Sequence, residues 1–199
     1  MDNAFTTFEV EVKGVAPMLL HNGNMANPFN PHVKAMKELQ ANAKRNKTDE
    51  FYFQLSKLEW YAGLYLNSKK EPIIPQDVLI ACMVKAGKRQ RKGDIVKSCI
   101  FIESDMKLVY TGPKDIDAMW EDESFRDQRI VVNPATKARV LRTRPILHDW
   151  GGKFRLSFDH EQVSDSQVNS LIVTAGRFCG LGDYRPTYGR FEIISVKPV

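Results

Sequence analysis

The sequence predicts an α+β fold in which strand, helix, strand, strand, helix and strand succeed one another around an antiparallel sheet. Three observations carry this. First, Phe8, Val10 and Val12 alternate with Glu9, Glu11 and Lys13, and Phe154, Leu156 and Phe158 alternate likewise, the period-2 pattern of half-buried strands. Second, two apolar stripes recur at helical spacing, one through Val78, Leu79, Cys82, Met83 and Ala86, the other through Val168, Leu171, Ile172, Ala175 and Phe178. Third, Ile100, Ile102, Leu108 and Tyr110 mark a strand within 98–110, and Phe191 to Val196 mark a last one.

That order is the split βαβ of a ferredoxin-like, or RRM-like (βαββαβ), antiparallel sheet with helices on one face. With 199 residues and 43% hydrophobic content, the chain suits a single domain, 1–199, with a sizeable core. Core segments 1–15, 76–110 and 147–199 would carry the sheet. A large helical insertion, 16–75, follows strand 1, and a β-hairpin insertion, 111–146, separates strands 2 and 3.

Local signals place the remaining elements. A helix should start at Pro31 with Asn30 as its cap, and another after Thr48, with Phe51, Leu55, Leu58 and Ala62 on one face. Gly63–Asn67 and Pro72–Ile74 read as short strands. The helix after Pro75 runs into the basic residues Lys85, Lys88, Arg89, Arg91 and Lys92. Residues 113–127 are acidic and polar, and the cluster 115–123 reads as facing solvent or a basic patch on a neighbouring copy, with a divalent-ion site as the alternative. Segments Ile130–Val132 and Lys137–Ile146 read as a hairpin turning at Asn133-Pro134. Ser164 with Gln167 three residues on makes a capping box, and Gly180 is a suitable stop for the last helix.

The net charge is +5, which favours a polyanionic partner. Its distribution says more. Between Arg126 and Arg144 stand Arg126, Arg129, Lys137, Arg139, Arg142 and Arg144 against one acid, Asp127. A planar guanidinium fork suits phosphate oxygens, so the hairpin reads as a phosphate grip, or else as a charged edge that resists aggregation. Arg139, Arg142 and Arg144 are expected to be exposed, so that replacing all three by Ala would weaken binding without disturbing the fold.

A second cluster is the loop Gly180-Leu181-Gly182-Asp183-Tyr184-Arg185-Pro186-Thr187-Tyr188-Gly189-Arg190-Phe191. Its glycines allow close backbone approach, Arg185 and Arg190 bring charge, and Tyr184 and Tyr188 offer faces for stacking bases. The competing reading pairs Arg190 with Asp183 and packs the tyrosines on the sheet. The loop follows a helix rather than a strand, so it is no dinucleotide fingerprint, and no Gly-Lys-Ser/Thr makes a P-loop. The third cluster, 85–97, holds six bases and the single acid Asp94; a helix end complementing its dipole explains one or two of them. The hairpin and the loop are expected to converge on one cationic groove beside the sheet.

Other chemistry finds little support. Cys82, Cys99 and Cys179 form no CxxC pair and read as free thiols of a reducing compartment. His21, His32, His148 and His160 lack metal-ligand spacing, so neither a metal nor a cofactor is expected. No catalytic set is recognisable, although His21, in the loop after the first strand, could serve as a general base. No apolar stretch is long enough to cross a membrane and the first residues lack a signal-peptide pattern, so a cytoplasmic protein is expected.

The strand Phe8–Val12 leading into Gly14-Val15-Ala16-Pro17-Met18-Leu19-Leu20-His21, together with the glycine-rich 180–191 loop, resembles the RAMP superfamily of CRISPR RNA-binding proteins. The layout is similar to their backbone subunit, which polymerises along a guide RNA and carries an insertion after its first strand and a thumb between its second and third. The chain is also similar to a group of uncharacterised bacteriophage proteins that share the stretches 19–23, 139–145 and 183–191. Where target-cleaving backbone subunits place an early-loop aspartate, this chain has His21 and Asn22, so that activity is not implied. The resemblance and the charge pattern together imply a non-catalytic binder of single-stranded DNA or RNA, assembling as a homo-oligomer along the strand. The binding residues would be Lys88, Arg89, Arg91, Lys92, Arg129, Lys137, Arg139, Arg142, Arg144, Tyr184, Arg185, Tyr188 and Arg190. Two alternatives stand beside it: a metal-independent endoribonuclease using His21 as base, and a protein-interaction module engaging a host CRISPR assembly.

Overall fold

The computed structural model describes residues 4–43, 47–132 and 136–199. In chain order the elements are β1 (Phe5–Gly14), β2 (Met18–Leu19), α1 (Pro31–Ala43), α2 (Asp49–Gly63), β3 (Ile73–Ile74), α3 (Gln76–Arg89), α4 (Gly93–Cys99), β4 (Ile100–Ile102), β5 (Met106–Tyr110), α5 (Ile116–Glu121), β6 (Arg126–Val132), β7 (Arg139–Leu147), β8 (Trp150–Asp159), α6 (Asp165–Thr174) and β9 (Phe191–Pro198). The fold is mixed, with antiparallel sheets. It divides into two units, one of Met1–Met18, Leu66–Thr111 and Leu147–Val199, the other of Leu19–Tyr65 and Gly112–Ile146.

The first unit is built on a six-stranded sheet in the order β3–β5–β8–β1–β9, with β4 also paired to β8. The alternation of the strands decides its two faces. Phe8, Val10 and Val12 of β1 and Phe154, Leu156 and Phe158 of β8 are buried, while Lys13, Lys153 and Arg155 point away and are exposed. Against the buried face pack α3 and α6. Leu79, Cys82, Met83 and Ala86 form the buried stripe of α3, and Val168, Leu171 and Ile172 that of α6. Trp150 is buried and donates its indole N–H to the Ala16 carbonyl at 2.8 Å. The capping box forms as expected: the Gln167 N–H donates to Ser164 Oγ, and the Ser164 N–H donates to Gln167 Oε1 at 3.0 Å.

Three local expectations need correction. Residues 98–110 do not make one strand; α4 runs to Cys99, and Glu103–Asp105 separate β4 from β5. The basic run is not a single helix end, because Arg91 has φ 59° and interrupts the chain between α3 and α4. Of the short strands expected over Gly63–Asn67 and Pro72–Ile74, only Ile73–Ile74 forms; Leu66 and Pro72 make an isolated bridge, and α2 continues through Gly63.

The second unit combines α1, α2, α5 and a sheet in the order β2–β7–β6. Both helix starts follow their caps: the His32 N–H donates to Asn30 Oδ1 at 2.9 Å, and the Phe51 N–H to Thr48 Oγ1 at 3.3 Å. Its core is aromatic. Trp60 and Trp120 are buried with their ring centroids 5.6 Å apart, and the Trp60 indole N–H donates to the Phe125 carbonyl at 2.8 Å. The acidic stretch is therefore not merely a solvent-facing one. Asp115 caps α5, which turns Ile116, Met119 and Trp120 inward and leaves Asp117 and Glu121 exposed. The hairpin pairs in register from Arg126 opposite Pro145 to Val132 opposite Arg139. Its turn at Asn133-Pro134 lies outside the described residues.

Candidate nucleic-acid interface

In the first unit, the last helix ends irregularly. After α6 the residues Ala175–Cys179 form one π-helical turn, closed by the Gly180 N–H donating to the Ala175 carbonyl at 2.8 Å. A π-turn inserts an extra residue, so every later side chain is rotated relative to an α-helix. Phe178, expected on the buried stripe, is instead 52% exposed, and Cys179 takes the buried place. Phe178 turns toward α3, where the Arg89 guanidinium lies 5.1 Å from its ring centroid. Gln90 joins the same two helices by donating from Nε2 to Thr174 Oγ1 at 2.8 Å.

The glycine-rich loop continues from this turn. Gly180, Gly182 and Gly189 have φ near +71°, +75° and +73°, and Tyr184 has φ 52°. The loop closes on itself through the Leu181 N–H to the Gly189 carbonyl, 2.8 Å, and is tied to the end of β1 by Gly189 N–H to the Pro17 carbonyl, 2.8 Å, and Val15 N–H to the Arg190 carbonyl, 2.9 Å. These bonds hold Tyr184, Arg185, Pro186 and Thr187 outward, all exposed. The Tyr184 and Tyr188 rings sit 5.9 Å apart, tilted by 52°. Tyr188 is half-buried and Arg190 exposed.

Charge gathers around the join of helix and loop. Burial raises the Cys179 thiol above its ordinary value, while Lys85, Arg89 and Arg185 together pull it the other way. The neighbouring Cys82 thiol is pushed up to about 12, by burial first and then by Cys179, against the pull of Arg185 and Lys85. Cys82 Sγ lies 3.2 Å from the Gly180 carbonyl oxygen. Cations from α3 and from the loop thus act on the same two thiols. Phe178, against Arg89, and Tyr184, in the loop, are both exposed. Lys88 and Arg91 are exposed and Lys92 is half-buried, its backbone N–H donating to the Gly87 carbonyl at 2.8 Å. Sequence reasoning placed Lys85 in the basic run but not in the site, and missed Phe178.

In the second unit, the hairpin's charge is largely internal. Arg142 Nη1 donates to Glu59 Oε1 at 2.5 Å, and Glu59 Oε2 accepts the Thr143 N–H at 2.8 Å. Asp127 accepts from Arg129, and Arg144 Nη1 lies 4.0 Å from its other oxygen. Arg126 pairs with Glu123 at 3.1 Å and lies over the Trp120 ring. The expectation that Arg139, Arg142 and Arg144 are all exposed is corrected: Arg139 is, whereas Arg142 and Arg144 are half-buried and ion-paired. A triple Ala variant would therefore disturb the hairpin as well as any binding. Lys137 and Arg139, flanking the turn, remain exposed. His21 is exposed in a loop that Asn22 organises, donating from Nδ2 to the Leu64 carbonyl at 2.8 Å and accepting from the Asn24 N–H.

Among the described residues, no group of three or more His, Cys, Asp and Glu side chains could hold a metal ion, and no helix is long and apolar enough to cross a membrane.

No protein-family model matches the chain, and no curated protein matches it. Solved structures do. A chain in the cryo-EM structure of the Type III-B Cmr-beta bound to cognate target RNA superposes with a TM-score of 0.57 at 14% identity, over 98% of this chain and 61% of that one. The crystal structure of Cmr6 from Pyrococcus furiosus matches over 98% of this chain and 100% of that one, at 9% identity and a TM-score of 0.37. The first likeness shows that this chain shares its fold with that Cmr-beta chain. This chain spans about 61% of the length of that Cmr-beta chain.

Proposed function

We propose that this protein binds single-stranded nucleic acid through the face formed by the end of α3, the π-turn and the glycine-rich loop, without catalysing a reaction on it. The observation that carries the proposal is the Arg89 guanidinium 5.1 Å from the exposed Phe178 ring, joining α3 to the π-turn, directly before a loop that leaves Tyr184 and Arg185 exposed. Guanidinium and ammonium groups neutralise phosphates, and aromatic faces accept bases of any sequence. Two further features suit a backbone grip. The loop is fixed by its own hydrogen bonds before any ligand arrives, so little ordering cost attends binding. Its cations come from two separate elements, as tracking a strand requires.

We take the core to be a modified ferredoxin-like sheet; the neighbouring order β5–β8–β1–β9 supports it, with α3 and α6 on the buried face. The target RNA of the Cmr-beta structure weights RNA over DNA as the ligand. Assembly of copies along the strand, and a bacteriophage origin, are carried by the resemblance alone.

The test is fluorescence anisotropy with a labelled single-stranded RNA and the matching DNA, in EDTA. The wild type should bind, RNA more tightly than DNA, and leave the RNA intact. The double variant Arg89→Ala/Arg185→Ala should bind about tenfold more weakly, while the lost Arg89–Phe178 contact, about 0.5–1 kcal/mol, lowers melting by only a few degrees. Equal affinity in the variant would remove this face from the site. Cleaved RNA in EDTA that is spared by His21→Ala would give the function to an endoribonuclease instead.

A further inference from the structure

The second unit contains a cleft of about 580 Å³ between α1, α2 and β7. Its lining mixes apolar and polar groups: Tyr52 is 43% exposed, Leu141 44% exposed and Leu55 half-buried, with Gln40 and Ser56 among them. Its charged lining is unequal, with Lys47, Arg139 and Arg142 against the single carboxylate of Glu59. That carboxylate is already engaged, one oxygen by Arg142 and the other by the Thr143 N–H. What it does is fix Arg142 at the inner end of the cleft. A guanidinium has five N–H donors, and the Arg142 side chain keeps 40% of its surface exposed.

We propose, given strand binding as the function, that this cleft receives one unstacked nucleotide, its base on the Tyr52 ring between Leu55 and Leu141 and its phosphate against Arg139 and Lys47. Three properties of the cleft select this occupant. Its volume lies in the range of small-molecule sites, and its mixture of apolar walls with a few placed polar groups is typical of them. A flat aromatic face beside aliphatic walls suits a planar heterocycle. The excess of cations at the rim suits a phosphate, and disfavours a basic or neutral peptide. Arg142, held in one orientation by Glu59, can donate to a base carbonyl or ring nitrogen, which gives the cleft a means to prefer one base over another.

Calorimetric titration with the four nucleoside 5′-monophosphates alone tests the cleft separately from the strand. Saturable binding is expected, with one base preferred. Leu55→Trp fills the space and should abolish binding. Tyr52→Ala should weaken it about tenfold, with a melting temperature lowered only by the lost edge contact with Phe51. No saturable binding of any of the four, or binding unaltered in Tyr52→Ala, overturns the proposal and leaves the cleft to a protein segment. A labelled 12-mer measured in parallel separates the two failures. A strand that binds while mononucleotides do not sinks the cleft and spares the general function. Mononucleotides that bind where the strand does not would do the reverse.

Discussion

Gly189→Ala is expected to lower the melting temperature by roughly 6–12 °C and to abolish strand binding. Gly189 closes the glycine-rich loop with φ near +73°, where a Cβ is disfavoured by roughly 1–2 kcal/mol. A Cβ built there would stand 1.7 Å from the Leu181 carbonyl oxygen and 2.7 Å from its carbon. Neither atom can retreat easily, because Leu181 is buried and its N–H already donates to the Gly189 carbonyl. Forced overlap in a packed site costs about 1–3 kcal/mol, so the two effects sum to about 3 kcal/mol. At about 2–4 °C per kcal/mol for a chain of this size, that gives the stated shift. Binding should fail more completely than stability, since Arg185 and Tyr184 are held outward by the bonds the substitution breaks. Gly23→Ala is the control: nothing lies within 4 Å of its added Cβ, and both readouts should stay at wild-type values.

Glu59→Ala should destabilise the fold by about 2–4 kcal/mol, read as a lowered urea midpoint. Glu59 is 7% exposed and serves two donors of the hairpin. The larger part of the loss comes from Thr143, which is 1% exposed and whose N–H loses its acceptor. The Arg142 part is smaller, because a side chain 40% exposed can be rehydrated and its ion pair is screened by solvent. The double variant Glu59→Ala/Arg142→Ala should therefore cost less than the two single losses added together. A single loss under about 0.5 kcal/mol would show that the pair does not anchor the hairpin to α2.

Much of the fold was legible because its signals are local. Period-2 alternation located β1 and β8, and Asn30, Thr48 and Ser164 announced three helix starts by the residues that cap them. The interface was less legible, for two separate reasons. Whether an arginine is available depends on its partner, and Arg142's partner, Glu59, is 83 residues away in sequence. The excess of six bases over one acid in 126–144 therefore overstated the hairpin's free charge. Phe178 was misplaced for a different cause. Helical spacing assigns it to the buried stripe, and only the π-turn, a single added residue in the hydrogen-bond pattern, rotates it outward. The glycines at 180, 182 and 189 gave the one local hint that the helix would end in an unusual way, and all three adopt positive φ.

On the proposed function, cations at the junction of α3, the π-turn and the loop neutralise phosphates of a single strand. The salt dependence of strand affinity tests it most directly. If about five phosphates are neutralised, log K against log salt should fall with a slope near about −3.5, and Arg89→Ala/Arg185→Ala should flatten it to roughly −2. A wild-type slope close to zero, or one that the double variant leaves unchanged, would contradict the account.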